Sequence, residues 1–225
     1  MEKILLKIKA FFRLLGIDIA FVKKENPISA LTHNTEESMD DFWTDPKNEK
    51  HWKNPNLLNF YRLIADLVKS KGFNLDGKSI LDAGCGTGSL LIYVNEIFKP
   101  AENIGFEFSK KAIEIAKIRF PNAKYEYKNL NDSPQSQFDF VFCTEVLEHI
   151  INPQIALQNL LQMLKPGAGL LVSVPDGRKD TYVGHINFWS LESWAAFIEM
   201  NATNHEIETG EIKPYGLYAL IKNNK

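Results

Sequence analysis

The chain has 225 residues, 44% hydrophobic and 24% charged, which is enough to bury a full core and is typical of one α/β domain with extensions. Its net charge of −2 provides no bulk attraction for a polyanion, so nucleic acid is not favoured as a partner. The two cysteines, Cys85 and Cys143, cannot form a disulfide framework, which favours a reducing, cytoplasmic setting. Because no uninterrupted apolar stretch reaches the roughly 20 residues that span a bilayer, we expect neither export nor a membrane-spanning helix.

Residues 1–23 predict an amphipathic basic helix. Apolar residues recur at helical spacing from Ile4 to Leu15, with lysines and an arginine between them and Gly16 as a stop. The helix is expected to pack on the main domain or on a second copy of the chain in a homodimer. Peripheral contact with an anionic membrane surface is the alternative, and the sequence does not separate the two.

Residues 24–55 are polar, and their few large apolar side chains are Phe42, Trp43 and Trp52. We interpret this stretch as a linker that leads into a cap on the substrate side. Residues 56–225 then form the predicted catalytic domain.

From residue 56 onward, helical and strand patterns alternate, which predicts an α/β fold with a mostly parallel sheet and crossover helices. Predicted helices lie near residues 56–71, 89–98, 110–119, 153–164 and 191–201. Predicted strands lie near residues 79–83, 103–108, 123–127, 138–143 and 170–174, and two further runs, 205–212 and 216–222, are expected to pair antiparallel. In such a sheet a ligand binds beyond the carboxyl ends of the strands.

The first predicted strand leads into a turn with three alternate glycines, Gly84, Gly86 and Gly88. Glycine permits a tight strand-to-helix turn and lets a ligand approach the backbone. The spacing matches a dinucleotide fingerprint only in part, so this turn alone leaves a nucleotide site and a structural loop both open. Glu107 follows about 20 residues later at the end of the next strand, where a carboxylate can accept hydrogen bonds from both ribose hydroxyls.

Three motifs together resemble the class I S-adenosylmethionine-dependent methyltransferases. They are Ile80-Leu81-Asp82-Ala83-Gly84-Cys85-Gly86-Thr87-Gly88, then Gly105-Phe106-Glu107-Phe108-Ser109, then Phe138-Asp139-Phe140-Val141-Phe142-Cys143-Thr144-Glu145-Val146-Leu147-Glu148-His149. The resemblance implies a Rossmann-like, seven-stranded sheet whose last strand runs antiparallel, with helices on both faces.

The resemblance also implies roles for particular residues. Gly84, Gly86 and Gly88 would line the amino-acid half of S-adenosylmethionine, with Asp82 near its ammonium group and Glu107 on its ribose. Asn129 occupies the position where the family often has Asp facing the adenine amine, and its carbonyl oxygen can still accept that hydrogen bond. Cys143 and Thr144 would border the methionine portion through their backbone. The remaining predicted cofactor contacts are Cys85, Phe108 and Leu130.

The segment from Glu145 to His149 provides candidates for the chemistry. A sulfonium methyl group is already electrophilic, so a hydroxyl acceptor needs alignment and the removal of one proton. His149, with Glu148 and His185, is the predicted catalytic set, in which His149 acts as general base. Alternatively, Glu145, Glu148, His149 and His185 bind a divalent metal such as Mg²⁺, a pattern similar to that of quinone-pathway O-methyltransferases. A purely structural role for Glu148 and His149 is the third interpretation.

His185 lies in a loop that resembles the GHxxFxS segment of small-molecule and sugar-modifying methyltransferases, and Ser190 is the expected N-cap of the next helix. The aromatic residues of this loop are expected either to form a wall of the acceptor pocket or to pack under that helix. We therefore expect methyl transfer to a hydroxyl, less so an amine, of a small molecule or saccharide. A nicotinamide-dependent oxidoreductase and a non-catalytic cofactor-binding scaffold are the alternatives.

Overall fold

The structure is a computed structural model that describes residues 34–224, with the side chains of residues 50 and 51 excepted. The predicted helix over residues 1–23 and the first part of the predicted linker lie outside the described residues.

A single sheet organises the described chain, with strand order β3-β2-β1-β4-β5-β7-β6. The strands are β1 (Ser79–Ala83), β2 (Glu102–Glu107), β3 (Lys124–Tyr127), β4 (Phe138–Thr144), β5 (Leu164–Pro175), β6 (Glu206–Ile212) and β7 (Gly216–Lys222). Strand β7 pairs antiparallel with both β5 and β6, and the other neighbouring strands pair parallel. The predicted seven-stranded sheet with an antiparallel last strand is therefore confirmed.

Helices cover both faces of this sheet. They are α1 (Glu36–Thr44), α2 (Glu49–Trp52), α3 (Pro55–Ser70), α4 (Ser89–Ile97), α5 (Lys110–Arg119), α6 (Pro153–Gln162) and α7 (Leu191–Asn201). The hydroxyl of Ser190 accepts a hydrogen bond from the Ser193 backbone N–H, which confirms Ser190 as the N-cap of α7. Among the described helices, none is long and apolar enough to cross a membrane.

Alternate strand residues point to opposite faces, so two apolar cores form. Ile80 and Phe140 point to one face and pack with apolar residues of α3, α4 and α5. Leu81 and Val141 point to the other face and pack with residues of α6 and α7, including the fully buried Trp194. The parallel strands β2, β1 and β4 are neighbours in this sheet, so their carboxyl ends lie together at one edge of it.

Strand β5 is longer than the sequence predicts, because it begins at Leu164 rather than near Leu170. Pro166 and Gly167 are typical of a loop, so the sequence predicted that the strand begins after them. In the structure this stretch stays paired with β4, because the pairing shifts in register between Phe138 and Phe140 of β4. Gly167, with φ +75°, donates its N–H to the carbonyl oxygen of Asn223 and so keeps this irregular stretch paired.

Helices α1 and α2 lie within the predicted linker, where no helix was predicted from the sequence. Thr35 caps α1 by accepting a hydrogen bond from the Ser38 N–H at 3.2 Å, and Glu36 and Glu37 place negative charge in its first turn. No residue of α1 is buried, so burial in the core of the domain does not explain why this helix forms.

Candidate active site

The glycine turn follows β1 at the carboxyl edge of the sheet. Gly84, Gly86 and Gly88 all adopt left-handed backbone conformations, with φ of +80°, +48° and +76°. The Gly84 N–H donates to the carbonyl oxygen of Phe106 at 2.8 Å, which ties the turn to β2. Because side-chain-bearing residues rarely adopt such φ values, glycine is the residue that this turn requires.

Glycine is also needed at two of these positions for packing. A Cβ on Gly84 would lie 2.4 Å from Cγ2 of Val146, and one on Gly88 would lie 2.7 Å from the Tyr125 hydroxyl. A Cβ on Gly86 would meet only Trp43, at an ordinary 3.5 Å. The close approach of Val146 brings the segment that follows β4 against the turn.

Glu107 ends β2 and is 6% exposed. Its Oε2 accepts a hydrogen bond from the Gly86 N–H at 3.0 Å, and its Oε1 accepts from the N–H groups of Phe108 and Ser109 at 2.8 and 2.9 Å. Burial raises the pKa of this carboxyl, and the three N–H donors oppose the increase. Since a carboxylate offers about four lone-pair sites, this arrangement leaves Oε2 able to accept one further donor, such as a ribose hydroxyl.

Asp82 carries a buried carboxylate that fits the ammonium group of S-adenosylmethionine. It is 1% exposed, and among the described residues its Oδ1 has no hydrogen-bond partner. Burial raises the pKa of Asp82 to about 8, and the negative charge of Glu107 acts in the same direction. An ammonium group would provide both the missing donor and the compensating charge, so the residues present fit this half of the cofactor.

Helix α1 covers the glycine turn. The Trp43 ring packs against Gly86, and its indole Nε1 is buried without a hydrogen-bond partner in the described part of the chain. Asp40 holds α1 in place, because its Oδ1 accepts hydrogen bonds from the Ser109 hydroxyl and, at 3.1 Å, from the Lys111 N–H at the start of α5. The cap therefore lies on the side of the site that the resemblance assigns to the cofactor.

The predicted adenine contact, Asn129, and two other predicted cofactor contacts lie after β2 and β3. Asn129 is exposed, and its Oδ1 accepts a hydrogen bond from the Asn131 N–H at 3.0 Å, so its carbonyl oxygen keeps one lone pair for a ligand. Leu130 is buried and Phe108 is half-buried.

Three further predicted contacts have buried side chains, namely Cys85, Cys143 and Thr144. Burial raises the pKa of both cysteine thiols well above the ordinary value, so they are neutral and are not thiolate nucleophiles. Cys143 and Thr144 can meet a ligand through their backbone, as the resemblance implies.

Glu145, directly after β4, has a strained backbone with φ of +56°. Its N–H donates to the Ser173 carbonyl oxygen, and its Oε1 accepts from the Ser173 hydroxyl, both at 3.0 Å. Burial raises the pKa of Glu145 to about 7, while the Ser173 hydrogen bond opposes this. Strain at a non-glycine residue often marks a functional site, but the Glu145 carboxylate is directed to Ser173 rather than to the histidines.

Glu148, His149 and His185 converge from two separate segments. The Nε2 atoms of His149 and His185 each lie 3.9 Å from Oε1 of Glu148, and one ligand atom from each residue lies within 4.8 Å of the others. Glu148 is 1% exposed, and within residues 34–224 neither of its carboxylate oxygens has a hydrogen-bond partner. These three side chains form what we call the histidine cluster.

Burial disfavours the charged forms of Glu148 and His149. Burial raises the pKa of Glu148 well above its ordinary value, and the charge of Glu145 adds to the effect. Burial lowers the pKa of His149 to about 4, and the neighbouring His185 acts in the same direction. At neutral pH His149 is therefore uncharged, which makes it a good metal ligand and a weak proton acceptor.

A second carboxylate orients His185. Oδ2 of Asp180 bonds to Nδ1 of His185, so a proton on Nδ1 leaves the Nε2 lone pair directed to Glu148. Burial raises the pKa of Asp180, but the hydrogen bonds from His185 and from the Tyr182 N–H, with the charges of the two histidines, together outweigh it and keep the pKa below its ordinary value. No local sequence pattern indicates the pairing of Asp180 with His185.

Aromatic side chains surround the cluster. The Tyr182 ring centroid lies 4.9 Å from that of His185, and the Phe188 centroid lies 6.5 Å away. Tyr182 and Phe188 remain 46% and 51% exposed, so they do not simply pack under α7. Their position suits a wall that an apolar or aromatic acceptor could contact.

Comparison with known proteins gives a family match. A family model described as "Methyltransferase domain" matches residues 57–205. The ubiquinone biosynthesis O-methyltransferase of Alkalilimnicola ehrlichii is 31% identical over 151 residues, which cover 63% of this chain and 58% of that protein. The chain thus matches less than two thirds of the length of this relative.

Solved structures with the same fold differ widely in sequence. The plantazolicin methyltransferase BamL, in complex with a substrate analogue and S-adenosylhomocysteine, has a TM-score of 0.67 at 16% identity, with 89% of this chain and 100% of that chain covered. The [4+2]-cyclase SpnF has a TM-score of 0.60 at 16% identity, with 72% and 80% covered. Because a cyclase also has this fold, the fold alone does not define the reaction.

Proposed function

This chain belongs to the class I S-adenosylmethionine-dependent methyltransferases, and we propose that it transfers the methyl group of that cofactor to a hydroxyl of a small molecule. The Alkalilimnicola ehrlichii relative is an O-methyltransferase, which favours a hydroxyl over an amine as acceptor. The sequence pattern of the loop with His185, described above, also supports a saccharide as the acceptor class.

The observation that carries this proposal is the histidine cluster. A buried carboxylate without a hydrogen-bond partner in the described chain is unfavourable unless a charge compensates it. The Nε2 atoms of His149 and His185 each lie 3.9 Å from Oε1 of this carboxylate, Glu148. Imidazole and carboxylate groups are both common ligands of divalent cations. We therefore propose that these three residues hold a divalent cation, with Glu145 outside the ligand set.

In this proposal, the cofactor and the cation supply the reactive groups, and residues of the chain bind and orient them. When bound, S-adenosylmethionine supplies an electrophilic methyl group, and a divalent cation supplies a Lewis acid that lowers the pKa of the acceptor hydroxyl. Asp82 would hold the ammonium group of the cofactor, and Glu107 would accept a hydrogen bond from its ribose. Tyr182 and Phe188 would orient the acceptor and exclude water, so that the oxygen is aligned with the methyl group.

A second mechanism uses His149 as general base without a metal. The low pKa of about 4 disfavours it, because a base is most effective when its pKa lies near the working pH. The two mechanisms differ in their response to a chelator. Activity that is lost with a strong chelator and restored by Mg²⁺ supports the metal site, whereas activity indifferent to both supports the general base.

Calorimetric titration of the full chain with S-adenosylhomocysteine and, separately, with NAD tests the cofactor. We expect binding of S-adenosylhomocysteine only. Tight NAD binding with no response to S-adenosylhomocysteine would instead favour an oxidoreductase. Incubation of cell extracts with isotope-labelled S-adenosylmethionine, followed by mass spectrometry for products heavier by one methyl group, then identifies the acceptor. Cofactor binding with no labelled product would favour a non-catalytic scaffold.

A further inference from the structure

The side-chain amide of Asn34 connects two parts of the histidine cluster. Its Oδ1 lies 2.9 Å from Nδ1 of His149, and its Nδ2 donates to the backbone carbonyl of Gly184 at 2.9 Å. The same Gly184 carbonyl lies 3.2 Å from Nδ1 of His149. Asn34 therefore bonds both to the segment after β4 and to the loop after β5, although it belongs to neither.

These contacts determine which nitrogen of His149 carries the proton. The Gly184 carbonyl can only accept hydrogen bonds, so the amide must turn its NH₂ group towards that carbonyl and its oxygen towards His149. Exchanging the two amide atoms would place two oxygens 2.9 Å apart with no hydrogen between them. A carbonyl oxygen facing Nδ1 requires a proton on Nδ1, so neutral His149 has its lone pair on Nε2.

We propose that Asn34 is a positioning residue that, together with the Gly184 carbonyl to which it donates, fixes His149 as the Nδ1–H tautomer and directs its Nε2 lone pair to the space beside Glu148. This inference rests on the proposed function of the histidine cluster. It gives His149 the same arrangement as His185, whose Nδ1 is bonded by Asp180. Each imidazole thus has its Nδ1 held by an oxygen acceptor and its Nε2 3.9 Å from Glu148.

Asn34 lies on a segment that also reaches the cofactor side of the site. Asn34 lies just before α1, and the other end of that helix places Trp43 against Gly86. Asp40, between them, is bonded to the start of α5. One short segment therefore contacts the glycine turn and the histidine cluster, so seating this segment also orients His149.

Long-range ¹H–¹⁵N NMR of the labelled full chain at neutral pH reports the tautomer of each histidine. We expect the Nδ1–H form for His149 in the wild type, with its signals assigned through His149→Gln, and a gain of the Nε2–H form in Asn34→Ala. Glu37→Ala, an exposed α1 control, should match the wild type. Nε2–H in the wild type, or an unchanged tautomer in Asn34→Ala, would overturn the proposal.

Calorimetric titration with Mn²⁺ alone, and separately with S-adenosylhomocysteine, distinguishes positioning from a general structural role. We expect Asn34→Ala to weaken Mn²⁺ binding by about 10- to 100-fold, the usual effect of losing a group that orients a metal ligand, with S-adenosylhomocysteine affinity unchanged. Equal loss of both affinities would show a structural role and contradict the proposal. A wild type that binds no Mn²⁺ would refute the metal site of the proposed function, while the NMR result would still decide the role of Asn34.

Discussion

Replacing Glu107 by Gln tests the ribose-binding carboxylate with little change in shape. Glu107 accepts hydrogen bonds at both oxygens, from Gly86 at Oε2 and from Phe108 and Ser109 at Oε1. Glutamine has a single side-chain oxygen, so its NH₂ group must face at least one of these N–H donors. If the oxygen stays with Phe108 and Ser109, the NH₂ group replaces Oε2, which is the atom with room for the ribose hydroxyl.

The expected loss of cofactor affinity follows from one hydrogen bond to a charged group. Such a bond contributes about 1.5–3 kcal/mol, which corresponds to a roughly 10- to 150-fold increase in Kd for S-adenosylhomocysteine. The lost Gly86 hydrogen bond should also lower the free energy of unfolding, by about 1.5–3 kcal/mol. Both effects come from Oε2, so they should appear together.

Isothermal titration calorimetry at a temperature where both proteins are folded, with folding checked by circular dichroism, measures the change in Kd. Glu102→Gln is the matched control, because Glu102 begins the same strand and is exposed. We expect the control to bind like the wild type. A folded Glu107→Gln variant that binds S-adenosylhomocysteine with unchanged affinity would refute the ribose role.

Three further predictions concern other parts of the molecule. Burial raises the pKa of Asp139, but hydrogen bonds from Lys165 and Ser79 together outweigh this and hold the pKa below its ordinary range. The ionised Asp139 therefore stabilises the folded protein above about pH 4, and this contribution is lost as the pH falls further. Chemical denaturation should therefore show Asp139→Asn about 1.5–3 kcal/mol less stable than the wild type at pH 7, a gap that narrows in acid; a gap constant with pH would contradict this. Glu148→Met should raise the unfolding free energy of the metal-free protein by about 1–3 kcal/mol and abolish Mn²⁺ binding, and a less stable variant would contradict the unpartnered state of that carboxylate. Trp43→Phe should remove the change in tryptophan fluorescence caused by S-adenosylhomocysteine, and an undiminished change would place Trp43 outside the cofactor site.

The sequence predicted the elements whose signals are local. The boundaries of β1, α5, α7 and β7 agree with the prediction, because each has a regular apolar pattern between clear start and stop residues. Helix α1 was not predicted, since none of its residues is buried and its support comes from contacts with α5 and the glycine turn. Local propensity carries no information about such contacts.

The residues of the candidate site also differ in whether a local sequence motif predicts them. Glu107 and the glycine turn follow from motifs, and the grouping of Glu148 with His149 follows from their adjacency. The distant His185 entered through the resemblance, and the structure brings it to 3.9 Å from Glu148. Asn34 and Asp180 gave no signal, because their roles depend on loops that meet only in the folded chain.

A crystal structure of the full chain with S-adenosylhomocysteine is the most direct measurement. We expect the adenosine at the carboxyl ends of β1 and β2, with a ribose hydroxyl within hydrogen-bond distance of Glu107 and the amino group near Asp82. Helix α1 should lie over the ligand, or move aside to admit it. The ligand bound at a different edge of the sheet, with the Trp43 ring still packed on Gly86 and Asp82 still unpartnered, would contradict the assignment of this site.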